Sequence, residues 1–370
     1  MTQPLQLIIL TPGFPINEQD TSCIPALQDF VLGWKENFPE DTIRIIAFQY
    51  PHTSQSYSWH SIPVYAAGGH DKTGGYKLIT WMKIFLQLLL WKGSFKNWYF
   101  TFHWRGTTGE EKKKQSVVLS YFLTEASYVG QLFSRFSSVR HIAIAAGQDV
   151  KKSNPYLQRL NFKKLTVVVF TRKMYEELLI STGKKAEAII PMGVLHKTAI
   201  DATTVERPID ILIAGSLIVL KQVDIAIRII ATVKKEFSNL KVEIVGKGSE
   251  RPMLAQLVNE LQLHDQIKFN GALTREEVRE KMMQSKVLLH TSGYEGQSTV
   301  ISEALEAGMY VICFDVGRIT DHEKIKVCAE QTDMVHALKE ILTLHNPDFS
   351  PVELFSMSET VKAYKKFMDC

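Results

Sequence analysis

Cysteine is scarce in this chain. Cys23, Cys313, Cys328 and Cys370 are the only four in 370 residues, and no two form a C-x-x-C pair. Zinc-ribbon and thioredoxin-type chemistry therefore lacks its ligands, and a reducing compartment suits the chain better than a disulfide scaffold does. A surplus of one charge is lacking too. Lysine and arginine number 43 against 39 acidic residues, a formal net charge of +4. That balance does not announce a nucleic-acid binder, which concentrates positive charge; short clusters such as Lys112–Lys114 are all that occurs. Long apolar runs are missing as well. The most apolar stretch, Ile84–Trp91, is eight residues long, with Gln87 inside it and lysines at 83 and 92, where a membrane span needs about 18–20. The opening MTQPLQLIIL has no basic leader and a short apolar run, which does not read as a signal peptide. The expectation is a cytoplasmic protein that binds no nucleic acid, with peripheral contact at the inner membrane face left open.

What is present is ordinary for a soluble chain: 45% hydrophobic and 22% charged residues. Apolar surface on that scale excludes general disorder, and the length suits two domains of about 150–200 residues or one large one. Short β-rich runs alternate with helical patterns. Strands are predicted at Leu5–Thr11, Ile43–Phe48, Trp98–Phe102, His141–Ala145, Leu165–Phe170 and Ala188–Ile190. Helices are predicted at Ile24–Asn37, Tyr76–Trp91, Lys113–Phe136 and Lys173–Thr182. The polar stretch His196–Pro208 then reads as a linker. The alternation restarts with strands at Ile209–Ala214, Lys241–Val245, Ile267–Phe269, Val287–His290 and Tyr310–Phe314. Between and after them, helices are predicted at Gln222–Glu236, Arg251–Leu263, Thr274–Gln284, Thr299–Ala307, Asp333–Thr343 and Pro351–Met368. The strands are nearly continuous Val/Ile/Leu runs, as when helices cover both faces of a parallel sheet. This reads as two doubly wound α/β domains, 1–195 and 196–350, with a closing helix at 351–370 that packs back on the first. Ligands in such sheets bind beyond the carboxyl ends of the strands, and two facing domains would hold them in the cleft between.

Three loops of the second half carry chemistry. Gly215-Ser216-Leu217 follows the strand Ile209–Ala214, and Lys221 stands near the start of the next helix. A lysine beside free helix amides can hold a phosphate; on its own it would be a surface lysine. Gly246-Lys247-Gly248 follows the next strand. Two glycines there permit close backbone approach to a nucleotide, although tight turns use the same residues and G-x-G-x-x-G is not completed. The third segment, HTSGYEGQSTVISEALEAG at 290–308, is the most informative. A strand ends at His290, a glycine-containing loop follows, and a helix starts near Ser298 and stops at Gly308, a natural C′ glycine. Glu295 lies in the loop and Glu303 one turn inside the helix. Carboxylates accept bonds from sugar hydroxyls and the helix amides at Gln297–Val300 bind phosphate, which together suit a sugar on a nucleoside diphosphate. An amphipathic helix with solvated glutamates is the bland alternative.

The region from about 209 to 317 resembles the family 4 retaining glycosyltransferases (glycosyl transferases group 1), of the two-Rossmann GT-B architecture. Glu295 and Glu303, with seven residues between them, match that family's glutamate pair, and ILIAGSL with Lys221, VEIVGKGSER, IKFNGAL and SGYEGQSTVISEALEAG follow in the family's order. The resemblance implies that Glu295 faces the donor sugar and Glu303 the ribose hydroxyls. It implies that Lys221 and the backbone of Gly296, Gln297, Ser298 and Thr299 hold the diphosphate, with Gly215, Ser216, Gly246 and Gly248 lining the donor site. The family's usual Arg stands as Ser216 here, leaving Arg251 or another base to compensate. In the first half, Pro12-Gly13-Phe14-Pro15 resembles a phosphate-side loop, with Gly13 as its donor-site residue. FHWRG at 102–106 resembles a strand-ending segment whose His103 would approach sugar or acceptor. GQDVKKSNPYL at 147–157 resembles a block whose histidine falls at Ala146, leaving Asp149 to orient a loop. IIPMGV at 189–194 resembles the block at the domain boundary.

The resemblance implies a metal-independent retaining transferase without a resident cofactor. It would move a hexosyl-type group from a nucleotide sugar to a saccharide or lipid-linked hydroxyl acceptor, in polysaccharide or glycolipid biosynthesis. A catalytically weakened nucleotide-sugar-binding protein and a nucleotide-sugar epimerase of the same architecture are the rivals. An NAD-dependent oxidoreductase would want G-x-G-x-x-G after an early strand, which Pro12-Gly13-Phe14 does not supply. Two further features are independent of the family. His141, inside an apolar run, reads as a core histidine. Tyr76–Trp91, with Trp81, Trp91, Lys77, Lys83 and Lys92 around an apolar body, fits a core helix or a membrane interface.

Overall fold

The computed structural model describes residues 4–69, 75–92, 115–195, 205–317 and 321–369, with the backbone alone at 75 and 76. Residue contacts divide the chain into two units, Met1–Ile190 with Val361–Cys370, and Pro191–Thr360.

The first unit runs β1 (Leu5–Gly13), α1 (Pro25–Asn37), β2 (Thr42–Tyr50), β3 (Gln55–Trp59), β4 (Ile62–Ala66), α2 (Gly75–Trp91), β5 (Gln115–Tyr121), α3 (Glu125–Ser137), β6 (Arg140–Ala145), β7 (Thr166–Val169), α4 (Arg172–Thr182) and β8 (Ala188–Ile189). The sheet order is β3-β4-β2-β1-β5-β6-β7-β8, with β3 antiparallel to β4 and the other neighbours parallel. Leu7, Ile8, Ile9 and Leu10 of β1 are all fully buried. A central strand covered on both faces has no polar side to alternate with, hence its unbroken apolar run. α1 begins with proline at its first position, where the missing amide costs nothing. It buries Leu27, Phe30, Val31 and Trp34, the i, i+3, i+4, i+7 stripe of an amphipathic helix. On the opposite face, Ile84 and Leu88 of α2 join Val129 and Phe133 of α3 over Ile8, Leu10, Ile46 and Phe48.

The second unit runs β9 (Ile209–Ala214), α5 (Val223–Val233), β10 (Val242–Val245), α6 (Arg251–Glu260), β11 (Ile267–Gly271), α7 (Arg275–Met283), β12 (Ser285–His290), α8 (Thr299–Glu306), β13 (Tyr310–Phe314), β14 (Ile325–Cys328) and α9 (Gln331–Leu342). The strand order β11-β10-β9-β12-β13-β14 is wholly parallel. It is the 3-2-1-4-5-6 order of a Rossmann sheet, whose switch point falls between β9 and β12. One core joins α5, α6 and α9 to the sheet, and a second joins α7 and α8 to its other face.

A last helix, α10 (Met357–Asp369), closes the chain, and its residues from Val361 onward belong to the first unit. Tyr364 packs edge-on against Phe30, ring centres 5.2 Å apart. Arg140 donates to the carbonyls of Met368 at 2.7 Å and Phe367 at 3.0 Å, satisfying two orphan acceptors at a helix C-terminus.

Several sequence expectations need correction. The segment 113–136 is not one helix: Gln115–Tyr121 is strand β5, between β1 and β6, and the helix starts only at Glu125. The apolar run VVLSYFL fits either period, and Phe122, at φ 72°, is where the chain turns. The hairpin β3–β4 went unpredicted because its two-residue turn uses His60 and Ser61 at φ 46° and 63° instead of the usual Asn-Gly. The four-residue edge strand β14 was missed as well. The predicted strand Trp98–Phe102 lies outside the described residues. The division between units falls after Ile190 and not after 195, and the second unit extends to Thr360 and not to 350. Its reason is a set of bonds within that unit: Gly193 N–H to Thr360 Oγ1 at 2.8 Å, and Val194 paired with Phe355 and Met357. The linker's described end is anchored at one residue, between the exposed Glu206 and Pro208. Arg207 is buried, donating to the carbonyls of Ser285 at 2.5 Å and Ala307 at 2.6 Å and lying 4.3 Å from the Phe349 ring centre.

Candidate functional site

The loops after β9 and β12 leave the sheet side by side at its switch point. After β9 the chain passes through Gly215-Ser216-Leu217 into a 3-10 turn at Val219–Lys221. After β12 it crosses Thr291–Ser298 into α8. The two loops are stitched together: Gly293 N–H donates to Leu220 O at 2.9 Å, and the Thr291 hydroxyl to Gln222 O at 2.9 Å. Gly215, Ser216, Lys221, His290 and Thr291 border a small pocket between them. A Cβ placed on Gly215 would meet nothing nearer than Lys221 Cε at 4.0 Å, so the backbone there is open on the side the lysine faces.

Lys221 Nζ is ion-paired with Glu295 Oε1, their side chains only 24% and 15% exposed. Screening by solvent is reduced at that depth, so the pair exceeds an ordinary surface bridge. His290, 5% exposed, reaches the same carboxylate oxygen with Nε2 at 3.5 Å and meets the Ser298 hydroxyl at 3.3 Å. Burial is the largest single influence on Glu295 and pushes its carboxyl up; the His290 bond and the Lys221 charge together outweigh it and bring it down to about 2. Glu295 is therefore an anion at neutral pH, held by two neighbours.

Glu303 sits one turn inside α8, its carboxylate 3.7 Å from Arg275 at the start of α7. The bonds described bring Glu295 and Lys221 together and give Glu303 a different partner. The α8 N-terminus is only partly open. Ser298 N–H already donates to Gly317 O at 2.8 Å, which corrects the expectation of a free amide there. Helix geometry leaves the Thr299 and Val300 amides without intrahelical acceptors. The Gln297 side chain takes the Met192 amide at 2.8 Å and donates back to its carbonyl at 2.5 Å; it clamps backbone, and Gly296 beside it is buried.

Gly246 and Gly248 serve a different closeness from the one expected. A Cβ on Gly246 would stand 1.8 Å from Gly215 O, and one on Gly248 2.1 Å from Leu217 O. These glycines let the loops after β9 and β10 pack backbone on backbone, joined by Gly215 N–H to Val245 O at 3.0 Å and Leu217 N–H to Lys247 O at 2.9 Å. Arg251 does not stand in for Ser216: its guanidinium lies 3.6 Å from the Phe269 ring centre.

In the first unit, Gly13 ends β1 within 3.2 Å (as a Cβ) of Cys23 Sγ and 3.4 Å of Tyr50 Cβ. Asp149 is buried and accepts the amides of Leu123 and Gly147 at 2.7 Å each and of Ala146 at 3.2 Å. Burial raises its carboxyl and those amides oppose the rise; it ties loops together. His141 bonds Ser120 through Nε2 at 2.9 Å, and burial lowers its ring to about 3, a neutral core histidine. His103 lies outside the described residues. The sequence reading missed His290 and Arg275. His290 was legible only as the last residue of a strand, and nothing in the sequence paired Arg275 with Glu303.

Loops at the switch point of a Rossmann sheet, with a lysine beside a helix N-terminus, are an arrangement suited to an anionic ligand. Residues 198–346 match the family model described as Glycosyl transferases group 1, and the chain carries a domain of that family in a GT-B fold of two Rossmann-like units. The gpi3 subunit of Schizosaccharomyces pombe phosphatidylinositol N-acetylglucosaminyltransferase is 27% identical over 127 residues, 33% of this chain and 28% of that protein. The chain thus aligns with little more than a quarter of that relative's length. Among solved structures, Anabaena Alr3699/HepE in complex with UDP and glucose aligns with TM-score 0.66 at 14% identity, covering 98% of this chain and 95% of that one. The lipopolysaccharide outer core galactosyltransferase WaaB, apo form, aligns with TM-score 0.66 at 13% identity, covering 99% and 100%. At such identities the structures speak for the fold alone.

Proposed function

We propose that this chain is a retaining glycosyltransferase that moves a hexosyl-type group from a nucleoside-diphosphate sugar to a hydroxyl of a saccharide or lipid-linked acceptor. The observation that carries it is the Lys221–Glu295 pair at the switch point, beside the N-terminus of α8 and inside the family-matched segment. Lys221 and the first amides of α8 stabilise the charge that develops on the leaving diphosphate, a site for electrostatic catalysis that needs no metal. Glu303 accepts a diol on the nucleoside side and Glu295 faces the sugar. Displacement occurs on the front face, the leaving phosphate taking the acceptor proton. Polysaccharide or glycolipid assembly in the cytoplasm, with peripheral membrane contact, is the setting we assign.

Incubation with a panel of nucleotide sugars and candidate acceptors tests this. Release of nucleoside diphosphate with retention at the anomeric carbon is expected. Binding without release points to a weakened binding protein, and a changed sugar still on its nucleotide points to an epimerase. Glu303→Gln should raise KM for the donor with kcat little changed, the mark of a uniform binding loss.

A further inference from the structure

Lys221 is assigned to the donor diphosphate, yet Glu295 occupies it in the ligand-free chain. A diphosphate brought to Lys221 would meet the Glu295 carboxylate at the same ammonium, anion against anion at contact distance. His290 touches the same Oε1 from another side, at 3.5 Å, with Nε2, the nitrogen that also meets the Ser298 hydroxyl at 3.3 Å. Its buried ring at the end of β12 is part of the strand frame. The carboxylate thus has two holders, and only one of them is wanted by the ligand. Resting on the donor reading above, we infer that Glu295 is a stand-in for the donor diphosphate on Lys221, displaced when the diphosphate binds and then held by His290. His290 is the positioning residue of the exchange. It keeps the freed carboxylate in the site, where it meets the sugar only once the phosphates are seated. Sugar contact is in this way conditional on a bound diphosphate.

Calorimetry on the full chain with UDP, GDP, ADP and inorganic pyrophosphate tests the exchange. Removing the charge with Glu295→Gln should tighten diphosphate binding about three- to tenfold, because Lys221 no longer has a competitor. His290→Leu should leave diphosphate affinity within about twofold and lower kcat at saturating donor about tenfold or more, with His290→Gln, which keeps a donor, recovering much of the rate. A wild type that binds a diphosphate as tightly as Glu295→Gln does overturns the exchange and leaves the donor reading standing. No binding of any diphosphate by either form overturns the donor reading itself. Equal loss of kcat in His290→Leu and His290→Gln, both folded by circular dichroism, removes His290 from the exchange. If His290→Leu does not fold, His290→Gln decides: unchanged diphosphate affinity and a near-wild-type rate support the role, and weakened affinity overturns it.

Discussion

Lys221 is not accompanied by an arginine at position 216. Position 216, where the family resemblance leads one to expect a second cation, is an exposed serine, and Arg251 is stacked on Phe269. Lys221→Ala is therefore expected to weaken diphosphate binding by about 1.5–3 kcal/mol, the worth of a charge-assisted bond. Unchanged calorimetric affinity would reject the assignment. Ser216→Arg, exposed beside the pocket, should fold normally and bind diphosphate at least as tightly. A second residue-scale consequence follows from His141. Its ring stays neutral in the fold down to about pH 3, because burial disfavours the cation and no acid faces it through Nε2, only Ser120 and Ser127 beyond. The unfolded chain takes up that proton near the ordinary value of about 6.5. Stability is then full above pH 6.5 and falls as pH drops toward 3, by about 1.4 kcal/mol per unit. Glu295 acts in a lower window: its carboxyl is depressed to about 2, so its contribution holds above about pH 4.5 and is lost toward 2. Denaturant melts of wild type and His141→Gln between pH 7 and 5 separate the two. A slope that persists in the variant contradicts the assignment to His141.

At the scale of elements, the chemistry of α2 depends on which face is outside. Leu78, Met82, Leu86 and Leu90, spaced by four, are 55–60% exposed, and Ile79 and the neighbouring Phe136 are exposed too. Thr80, Ile84 and Leu88 are buried on the other side. Trp81, which the sequence offered as an interfacial anchor, faces inward: its ring nitrogen donates to Glu125 and its ring lies 5.3 Å from Tyr128. An apolar stripe with Lys83 exposed beside it suits a headgroup interface. The helix is too short to span: among the described residues, no helix is long and apolar enough to cross a membrane. Wild type is expected to sediment with anionic liposomes, and Met82→Glu with Leu86→Glu to stay in the supernatant. Equal sedimentation would eliminate this helix as the contact. Periodicity in the sequence located α2 to within a residue, since a 3.6-residue repeat needs no partner to be recognised. It did not tell inside from outside, because both faces of this helix are apolar. The same ambiguity hid β5 inside a supposed helix.

At the scale of the whole molecule, the alternating pattern was enough for two α/β units but not for the order of their strands, because buried parallel strands have little choice of composition and strand order is set by contacts between distant residues. The Glu295 loop was legible for the same reason: its residues are contiguous. Contacts made by residues far apart were not. Asp41 and Lys365 are separated by more than three hundred positions, and nothing local marks either. In the fold, Lys365 Nζ lies 2.7 Å from Asp41 Oδ2, with both side chains at most 4% exposed. Asp41 also accepts the Leu5 amide at 2.7 Å and the Trp34 ring nitrogen at 3.0 Å. One carboxylate thereby fastens the first strand, the first helix and the last helix of the chain within one unit. Lys365→Met would leave that carboxylate buried with two neutral donors and no cation. Breaking a buried pair from one side costs about 3–5 kcal/mol, and the two remaining donors put this case at about 3. Asp41→Asn with Lys365→Met removes the stranded charge and should recover most of the loss. Intrinsic fluorescence is the right probe, because the described tryptophans, Trp34, Trp59, Trp81 and Trp91, all belong to the first unit and the second unit's sequence has none. A urea midpoint by fluorescence that is equal in wild type and Lys365→Met would show that the Asp41–Lys365 pair contributes nothing to the stability of this unit.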